Sequence, residues 1–500
     1  MGRYFRSPLG IAGAVLWFSA VYVPCALVVA ARKHLWNDEL FTFYIARVGS
    51  FEKIYAALLT AADQNPPPFY WLTSLGMNLN ASAAGIRLPA IFGVWLMGVC
   101  LIYWFSRYGM AAYGLVAALF AIVTGAHAYA TEGRPYGLVL GLAAAAILCW
   151  QRTLTQRNIS LWAIGLAVSL GGAVSVHYYA VLVFPPIILA ELAVALKNRK
   201  IQWPVWCGLV AGMLPLVLWL PLIQAARSYS GTYWAKADAS SIADFYSFAL
   251  LPALLPLLAF ATAVSVRCLG SPDQSLAGLI PDIPELICVM SLCLMPVLAI
   301  ALGRFVTGAY THRYVIFAVL GFAIILAWLL MRLFGPQTTP AIVAAGVLTS
   351  FFIVREVSSF RWVGNVANHA VDAQFLMKHV PRGDIAIADP HLFFELTHQS
   401  PPALRARLFY IADRAAALHH LGTDVVDRGV IDMKAFAGLR VRSLDEVLNS
   451  GQRFAVYGYP AYWAWLVADF ADRRVPMSIH GSFNKRLLVF TSTSDSGGRN

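Results

Sequence analysis

The sequence predicts a polytopic α-helical membrane protein with a small α/β domain at its C-terminal end. Of its 500 residues, 59% are hydrophobic and only 12% are charged, and the mean hydropathy is +0.66. Soluble domains are about 45–50% apolar and about a quarter charged. Apolar runs of roughly 20 residues, the length that spans a bilayer, recur up to residue 354, and the pattern changes after that point.

The apolar runs predict about eleven transmembrane helices. We assign residues 1–354 to the transmembrane domain, with a long outer loop at 32–85. The 137–150 run is short and is expected to extend at either end. The predicted runs are 9–31, 86–106, 111–130, 137–150, 160–177, 180–196, 203–222, 246–265, 284–302, 315–332 and 340–354.

Basic residues between the runs predict the orientation. Arg3 and Arg6 precede the first run, which places the N-terminus in the cytoplasm. An odd number of spans then leaves the C-terminal domain on the non-cytoplasmic face of the cell membrane, which we expect to be a bacterial inner membrane. By alternation, the other basic residues in cytoplasmic loops are Arg107, Arg152, Arg157, Lys197, Arg199, Lys200, Arg267 and Arg332.

The net charge of +12 does not indicate nucleic-acid binding, because the basic residues lie in short clusters between apolar runs and form no continuous stripe. The seven cysteines form no CxxC pair, and most lie inside apolar runs, so they predict neither disulfides nor a metal site.

The outer loop contains an amphipathic stretch and a proline run. Residues 41–62 alternate aromatic and polar side chains, which suits short helices lying at the membrane surface. Pro66, Pro67 and Pro68 predict a rigid extended segment leading into the next helix.

Residues 355–490 are predicted to form the small α/β domain. Strands are expected at 385–388, 454–459 and 486–490, and helices at 371–379, 402–417 and 444–449. The polar, Ser/Gly-rich tail 491–500 is predicted to be disordered.

Asp38 and Glu39 directly follow the first span. A carboxylate at that position can accept the proton of an attacking hydroxyl or amine. Asp38 is equally suited to cap the helix that follows it, so its position alone leaves both interpretations open.

Two further loops carry charged residues that alternation places on the same face. Glu132 and Arg134 lie in the short loop after the third span, where a structural ion pair is the alternative. Arg313 follows His312 and precedes Tyr314 at the start of the tenth span. Its planar guanidinium matches phosphate oxygens, but an interfacial Arg-Tyr anchor explains it as well.

The order of these motifs resembles the GT-C superfamily of membrane glycosyltransferases, and most closely the protein O-mannosyltransferases and the lipid A aminoarabinose transferases. The resemblance covers residues 1–150 well and 300–335 more thinly. The motifs that carry it are Asp38-Glu39, Pro66-Pro67-Pro68-Phe69-Tyr70-Trp71-Leu72, Arg87-Leu88-Pro89, Glu132-Gly133-Arg134-Pro135-Tyr136 and Arg313-Tyr314.

The resemblance implies transfer of a sugar from a polyprenyl-phosphate donor to a glycan, lipid or protein acceptor on the non-cytoplasmic face. It implies that Asp38 is the base of an inverting reaction, that Glu39 and Glu132 assist, and that Arg313 and Arg134 bind the donor phosphate. Further candidate substrate-binding residues are Asn65, Tyr70, Tyr136, His312 and Tyr314.

The sequence departs from the family at Asn65, where relatives often carry His or Lys. An amide can donate hydrogen bonds but carries no charge, so phosphate binding is expected to depend more on the two arginines. The sequence identifies no cofactor with certainty; a divalent metal near the acids is compatible with the residue types, although no His-rich ligand set demands one.

Two other functions explain the sequence pattern less well. A transporter or flippase would concentrate ionisable residues near the bilayer midplane and often shows internal repeats, whereas these runs are nearly free of charge and show no repeat. A structural or sensor protein that binds an envelope partner through its C-terminal domain would leave the acidic loops unexplained.

Overall fold

The computed structural model describes residues 9–233, 235–270, 281–459 and 464–491, with the backbone alone at 267–270. The predicted flanking residues Arg3 and Arg6, and tail residues 492–500, lie outside this range. The chain divides into two compact units. We call residues 9–32, 65–221 and 235–363 the membrane unit, and residues 33–64, 222–233 and 364–491 the C-terminal unit.

Helices dominate the chain up to residue 363. In chain order they are α1 (Ile11–Arg32), α2 (Asn37–Arg47), α3 (Phe51–Leu59), α4 (Pro67–Leu79), α5 (Ala83–Ser106), α6 (Ala111–Val123), α7 (Tyr136–Thr153), α8 (Ile159–Val176), α9 (Phe184–Asn198), α10 (Trp203–Leu218), α11 (Leu220–Arg227), α12 (Ser240–Leu250), α13 (Leu254–Gly270), α14 (Ile283–Leu302), α15 (Val319–Phe334) and α16 (Thr339–Val363).

Nine described helical segments are long and apolar enough to cross a membrane, and eleven if each of two bent pairs counts as one span. This confirms the prediction of a multi-pass membrane protein, with nine to eleven candidate spans in the described residues. The predicted boundary at residue 354 falls within α16, and residues 33–64 of the predicted outer loop are part of the C-terminal unit. α4 begins at Pro67 after an extended Pro66, as the prolines predict.

Two of the predicted runs are not continuous helices. The run predicted at 111–130 bends by 78° after α6, where a short 3-10 helix covers Gly125–Thr131. The run predicted at 203–222 bends by 58° between α10 and α11. Hydropathy could not predict either bend, because a broken span has the same apolar composition as a straight one.

Several of the predicted cytoplasmic loops meet at one end of the membrane unit. Arg107, after α5, forms ion pairs with Asp282 at 3.1 Å and with Glu285 at 2.9 Å. Lys197 of α9 lies 3.9 Å from Asp282, and Gln151 of α7 donates to Glu285 at 2.7 Å. The ends of α5, α7 and α9 and the start of α14 therefore lie together.

The C-terminal unit contains a six-stranded mixed sheet. Its strands, in the order β3-β2-β1-β4-β6-β5, comprise four parallel strands followed by an antiparallel pair. They are β1 (Ile385–Ile387), β2 (Leu408–Ala412), β3 (Val441–Ser443), β4 (Ala455–Gly458), β5 (Met477–Phe483) and β6 (Arg486–Thr491). The helices of this region are α17 (Ala370–His379), α18 (Pro390–Gln399), α19 (Pro402–Arg405), α20 (Arg414–Leu421), α21 (Val425–Ala437), α22 (Leu444–Asn449) and α23 (Trp465–Asp472).

The prediction of one helix at 402–417 was wrong, because strand β2 separates α19 from α20 there. All five residues of β2 are buried. A parallel strand covered on both faces is a continuous apolar run, which periodicity does not distinguish from a buried helix. Strands β3 and β5 were missed, and Thr491, assigned to the tail, is the last residue of β6.

Candidate active site

The break after α6 positions the loop that contains Glu132 and Arg134. Thr124 ends α6 in an extended conformation, and its hydroxyl oxygen accepts the N–H of Ala126 at 3.2 Å. A Cβ on Gly125 would lie 2.2 Å from the carbonyl oxygen of Phe248, so only glycine fits against α12 there. The chain therefore turns at this point, and α7 starts at Tyr136.

Tyr136 is the centre of a group of rings that we call the Tyr136 cluster: Tyr129, Tyr136, His177, Tyr179 and Tyr314. The ring of Tyr136 is 5.1 Å from that of Tyr129, 5.3 Å from His177 and 6.4 Å from Tyr314, centroid to centroid. His177 lies 5.1 Å from Tyr314, and Tyr179 lies 4.5 Å from Tyr314. One site is therefore formed by the start of α7, the end of α8 and the start of a 3-10 helix at His312–Ala318.

Two guanidinium groups accompany these rings. Arg313 lies 5.5 Å from the centroid of Tyr136, within cation–π range. Arg134 is buried, and both arginines are close enough to His177 to act on it electrostatically. The structure thus brings together Arg134, Tyr136, Arg313 and Tyr314 within the membrane unit. Glu132, half-buried, lies two residues before Arg134 in the same loop.

The far side of the cluster is held by hydrogen bonds to an irregular turn. The hydroxyl of Tyr179 contacts both the carbonyl oxygen of Ala309 and the hydroxyl of Thr307. That turn follows a short π-helix at Gly303–Thr307. His312 packs its ring 4.1 Å from that of Phe248, so it contacts α12, the helix against which Gly125 packs.

Asn65 and Tyr70 form a second polar pair within the membrane unit. The side-chain amide of Asn65 donates to the hydroxyl of Tyr70 at 3.3 Å, and both residues are buried. Arg87, also fully buried, donates to the carbonyl oxygen of Ala30 at 2.5 Å and so ties α5 to the end of α1.

Asp38 and Glu39 lie in the first turn of α2, in the C-terminal unit. The N-cap residue is Trp36, so the alternative that Asp38 caps this helix is wrong. Glu39 is fully buried and accepts the N–H of Trp36 at 3.4 Å, which satisfies one of the free donors at the helix start. Both carboxylates lie where the helix dipole stabilises negative charge.

A chain of buried polar groups holds this helix start, and we call it the His369 network. Glu395 accepts the backbone N–H of Asn37 at 3.0 Å and contacts His369 Nε2 at 2.6 Å. His369 Nδ1 contacts Asp372 at 3.0 Å, and Asp372 in turn accepts from Tyr457 and from Arg486, both at 2.6 Å. The residue next to Asp38 is therefore anchored to the sheet of the same unit.

The charge state of the network follows from its contacts. Burial opposes a charge on His369, but the hydrogen bonds to Asp372 and Glu395 outweigh it and raise the His369 pKa. The same bonds, together with Tyr457 and Arg486, overcome the effect of burial and lower the pKa of Asp372. Both shifts favour the charged forms of His369 and Asp372.

Sequence reasoning missed His177, Tyr179 and the His369 network. The signal for the first two was a His-Tyr-Tyr triplet inside an otherwise apolar region, between runs predicted as separate spans. His369, Asp372 and Glu395 are separated along the chain and meet only through the fold.

One group of residues in the described parts of the chain has metal-ligand chemistry. Ligand atoms of His419, His420 and Asp472 lie within 4.8 Å of one another. His420 also lies 3.6 Å from Asp469, which gives its ring an ion-pair partner without a metal. This group is separate from the acidic motifs of the sequence.

The fold defines a multi-pass membrane protein with a C-terminal sheet domain, and comparison with known proteins shows what this chain resembles. Residues 64–223 match the family model for dolichyl-phosphate-mannose-protein mannosyltransferase. This segment includes Asn65, Tyr70, Glu132, Arg134 and Tyr136. No curated protein sequence matches the chain.

Among the solved structures that the chain resembles are two of ArnT from Cupriavidus metallidurans. The apo structure is 14% identical in sequence, with a TM-score of 0.62 over 98% of this chain and 99% of that one. The structure bound to undecaprenyl phosphate is also 14% identical, with a TM-score of 0.61 over 98% of this chain and 100% of that one. The resemblance that the motifs predict is therefore confirmed in two respects: residues 64–223 match the mannosyltransferase family model, and the chain has the ArnT fold.

Proposed function

We propose that this protein is an inverting glycosyltransferase of the bacterial inner membrane. It would transfer a sugar from a polyprenyl-phosphate donor to an envelope glycan, lipid or protein on the non-cytoplasmic face. The observation that carries the proposal is the presence of two arginines, Arg134 and Arg313, beside His177 of the Tyr136 cluster. ArnT, which shares the fold, binds undecaprenyl phosphate.

The two arginines supply phosphate chemistry. A guanidinium offers parallel donors that match phosphate oxygens, and two of them near one point stabilise the charge that grows on a departing phosphate. Their surroundings are aromatic and largely buried, and an environment with little water strengthens such an interaction. The rings of Tyr136 and Tyr314 and the side chain of His312 contribute to the sugar and lipid-phosphate contacts.

Asp38 acts as the base in this proposal. The acceptor oxygen or nitrogen forms a bond to the anomeric carbon while the bond from that carbon to the phosphate oxygen breaks. The electron pair leaves with the polyprenyl phosphate, and the acceptor proton goes to Asp38. Attack opposite the leaving group inverts the anomeric carbon. The order of the sequence motifs supports Asp38 as the base. Glu39 accepts a hydrogen bond at the start of the same helix, which fits a role in holding Asp38 in position.

The remaining predicted residues have supporting roles. Glu132 orients an acceptor hydroxyl, and Asn65 and Tyr70, already hydrogen-bonded to each other, present one polar edge to the substrate. In place of the basic residue of relatives, Asn65 contributes hydrogen bonding without charge, which leaves phosphate neutralisation to the arginines.

The test is a transfer assay with the full-length protein in lipid nanodiscs. A panel of radiolabelled polyprenyl-phosphate sugars is offered with and without membrane extract as acceptor, in the presence or absence of EDTA. We expect one donor to be turned over, and Asp38→Asn to lower the rate by at least 100-fold, in the range typical of a lost general base. Glu52→Gln, which changes an exposed acid in the first turn of α3, is the matched control.

A second pair of variants tests the phosphate site. Arg313→Gln should abolish saturable binding of undecaprenyl phosphate, while Arg332→Gln, at an exposed position on α15, should leave it unchanged. Full turnover in Asp38→Asn would move the base to Glu39 or Glu132. Undiminished lipid-phosphate binding in Arg313→Gln would contradict the proposed phosphate site.

A further inference from the structure

A cleft in the C-terminal unit is separate from the residues assigned above. It has a volume of about 310 Å³, at the lower end of the range for small-ligand pockets. It lies between α2, the end of α18, α19 and the segments that precede β2 and β3. We call it the basic cleft; its lining includes Phe43, Tyr44, Arg47, Thr397, His398, Arg405 and Arg440.

The charge of the basic cleft has one sign. Three arginines line it, and no carboxylate is among its lining residues. Arg440 is neutralised by Asp384, with contacts of 3.2 Å and 2.9 Å. Among the described residues, Arg405 donates only to the carbonyl oxygens of His398 and Ser400, at 3.2 Å and 3.0 Å.

Arg47 likewise has no acidic partner. Its guanidinium carbon lies 5.9 Å from the ring centroid of Phe43. Within the described parts of the chain, neither Arg47 nor Arg405 forms an ion pair. Burial, followed by the positive charges of Arg405, Arg47 and His34, lowers the pKa of His398, which lines the same cleft as the two arginines.

The walls add an aromatic surface and a polar group without a partner. The Phe43 ring lies 4.9 Å from that of His398 in an edge-on arrangement, and Tyr44 adjoins it. Thr397 is buried, with 8% of its surface exposed, and its hydroxyl has no hydrogen-bond partner among the described residues. A buried hydroxyl in that state costs free energy unless a ligand or water pairs with it.

We propose that the basic cleft binds a saccharide that carries an oxyanion, either a phosphate or a carboxylate. Arg47 and Arg405 would pair with the oxyanion, Thr397 and neutral His398 would hydrogen-bond to hydroxyls, and Phe43 would cover the C–H face of the sugar ring. This inference deepens the proposed function, because it names an anionic glycan as the acceptor. In that respect the inference rests on the proposed function. Binding itself does not depend on catalysis.

The experiment is calorimetric titration of the full-length protein in nanodiscs of zwitterionic lipid. The probes are glucose 6-phosphate, glucuronic acid, glucose and inorganic phosphate. We expect the two anionic sugars to bind at least tenfold more tightly than glucose or inorganic phosphate, with an affinity that falls as salt rises.

Two variants and a control locate the site. Arg47→Gln removes a charge that makes no hydrogen bond to the fold, and should weaken both anionic sugars at least tenfold. Arg405→Gln should do the same, although it also loses two bonds to carbonyls. Arg382→Gln, an exposed arginine of the same unit outside the cleft, should have no effect.

The outcomes separate this inference from the proposed function. A protein that transfers sugar but binds neither anionic sugar retains that function and overturns the inference. Equal binding of glucose, or of inorganic phosphate, also overturns it, as does Arg47→Gln with wild-type affinity. Binding only to nanodiscs that contain anionic lipid would assign the cleft to a lipid headgroup instead.

Discussion

The two units present their candidate site residues in different ways. In the membrane unit these residues lie where helices are interrupted: after Thr124, at His177 between α8 and α9, and after the π-helix Gly303–Thr307. In the C-terminal unit Asp38 lies on an intact helix whose start is fixed by the His369 network. Close backbone packing therefore positions the site residues of the membrane unit, and charge pairing positions those of the C-terminal unit.

The difference has a physical basis. Inside a bilayer, backbone groups freed by a helix break must find partners within the protein, so breaks occur where neighbouring helices approach closely, as at Gly125. A domain with a sheet core can instead bury ionised groups if they pair with one another. Substitutions that remove a charge should therefore disturb the C-terminal unit most, and substitutions that add volume should disturb the membrane unit.

The largest effect is expected at Asp372. Asp372→Ala leaves Arg486 and His369 buried without their shared carboxylate, and breaking such a pair costs about 3–5 kcal/mol. Thermal unfolding in nanodiscs should show a lower Tm, and hydrogen exchange should place the loss at β4 and β6. Asp472→Ala, where the carboxylate is 70% exposed, should change stability by less than about 1 kcal/mol. Similar losses in both variants would contradict the importance of the network.

A second charge effect is the pH dependence caused by Asp427. Burial raises the pKa of this carboxyl to about 7, against hydrogen bonds from Trp465 and Tyr410 that lower it. Between the unfolded value near 4 and about 7 the folded state binds more protons, so stability falls as pH rises through that window.

Replacing this carboxyl isolates its contribution. Wild-type protein should lose on the order of 2–4 kcal/mol from this group between pH 4 and pH 8, whereas Asp427→Asn should show a flatter profile. The measurement is the Tm of both proteins at half-unit pH intervals. Parallel profiles would show that Asp427 does not titrate in this range.

A substitution at Gly125 tests the role of close packing in the membrane unit. Gly125→Ala places a methyl group 2.2 Å from the Phe248 carbonyl oxygen, so the backbone must shift, at a cost of about 1–3 kcal/mol. We expect a lower Tm and weaker binding of undecaprenyl phosphate. Gly346→Ala is the control, because nothing lies within 4 Å of its Cβ, and it should be neutral or slightly stabilising in α16. A neutral Gly125→Ala would mean that the break does not depend on this contact.

The smallest effect is expected at Tyr179. Tyr179→Phe removes the hydroxyl that contacts Ala309 and Thr307, a loss of about 1 kcal/mol, and should reduce donor affinity only a few-fold. Tyr103→Phe, at a 42% exposed position, provides the comparison in the same titration. A 100-fold loss in Tyr179→Phe would instead mean that this hydroxyl contacts the substrate directly.

Sequence reasoning succeeded where local composition carries the information. The spans follow from apolar run length, and the start of α4 follows from the backbone restrictions of Pro66 and Pro67. The motif order brought Arg134 and Arg313 into one hypothesis, and the contacts of Tyr136 and His177 show that these segments meet. Sequence reasoning failed at β2, because a fully buried parallel strand has no hydrophobic periodicity to detect.

The amino-acid sequence by itself determined that the chain crosses a membrane many times, that its C-terminal part folds as a small α/β domain, and which charged motifs interrupt the apolar runs. These properties depend on hydropathy and on residues adjacent in the chain. Only the tertiary structure decided that Trp36 rather than Asp38 caps α2, that His369 bridges Asp372 and Glu395, and that Arg47 and Arg405 face one cleft. Those arrangements depend on residues far apart in the chain, whose proximity is set by packing that no local pattern records.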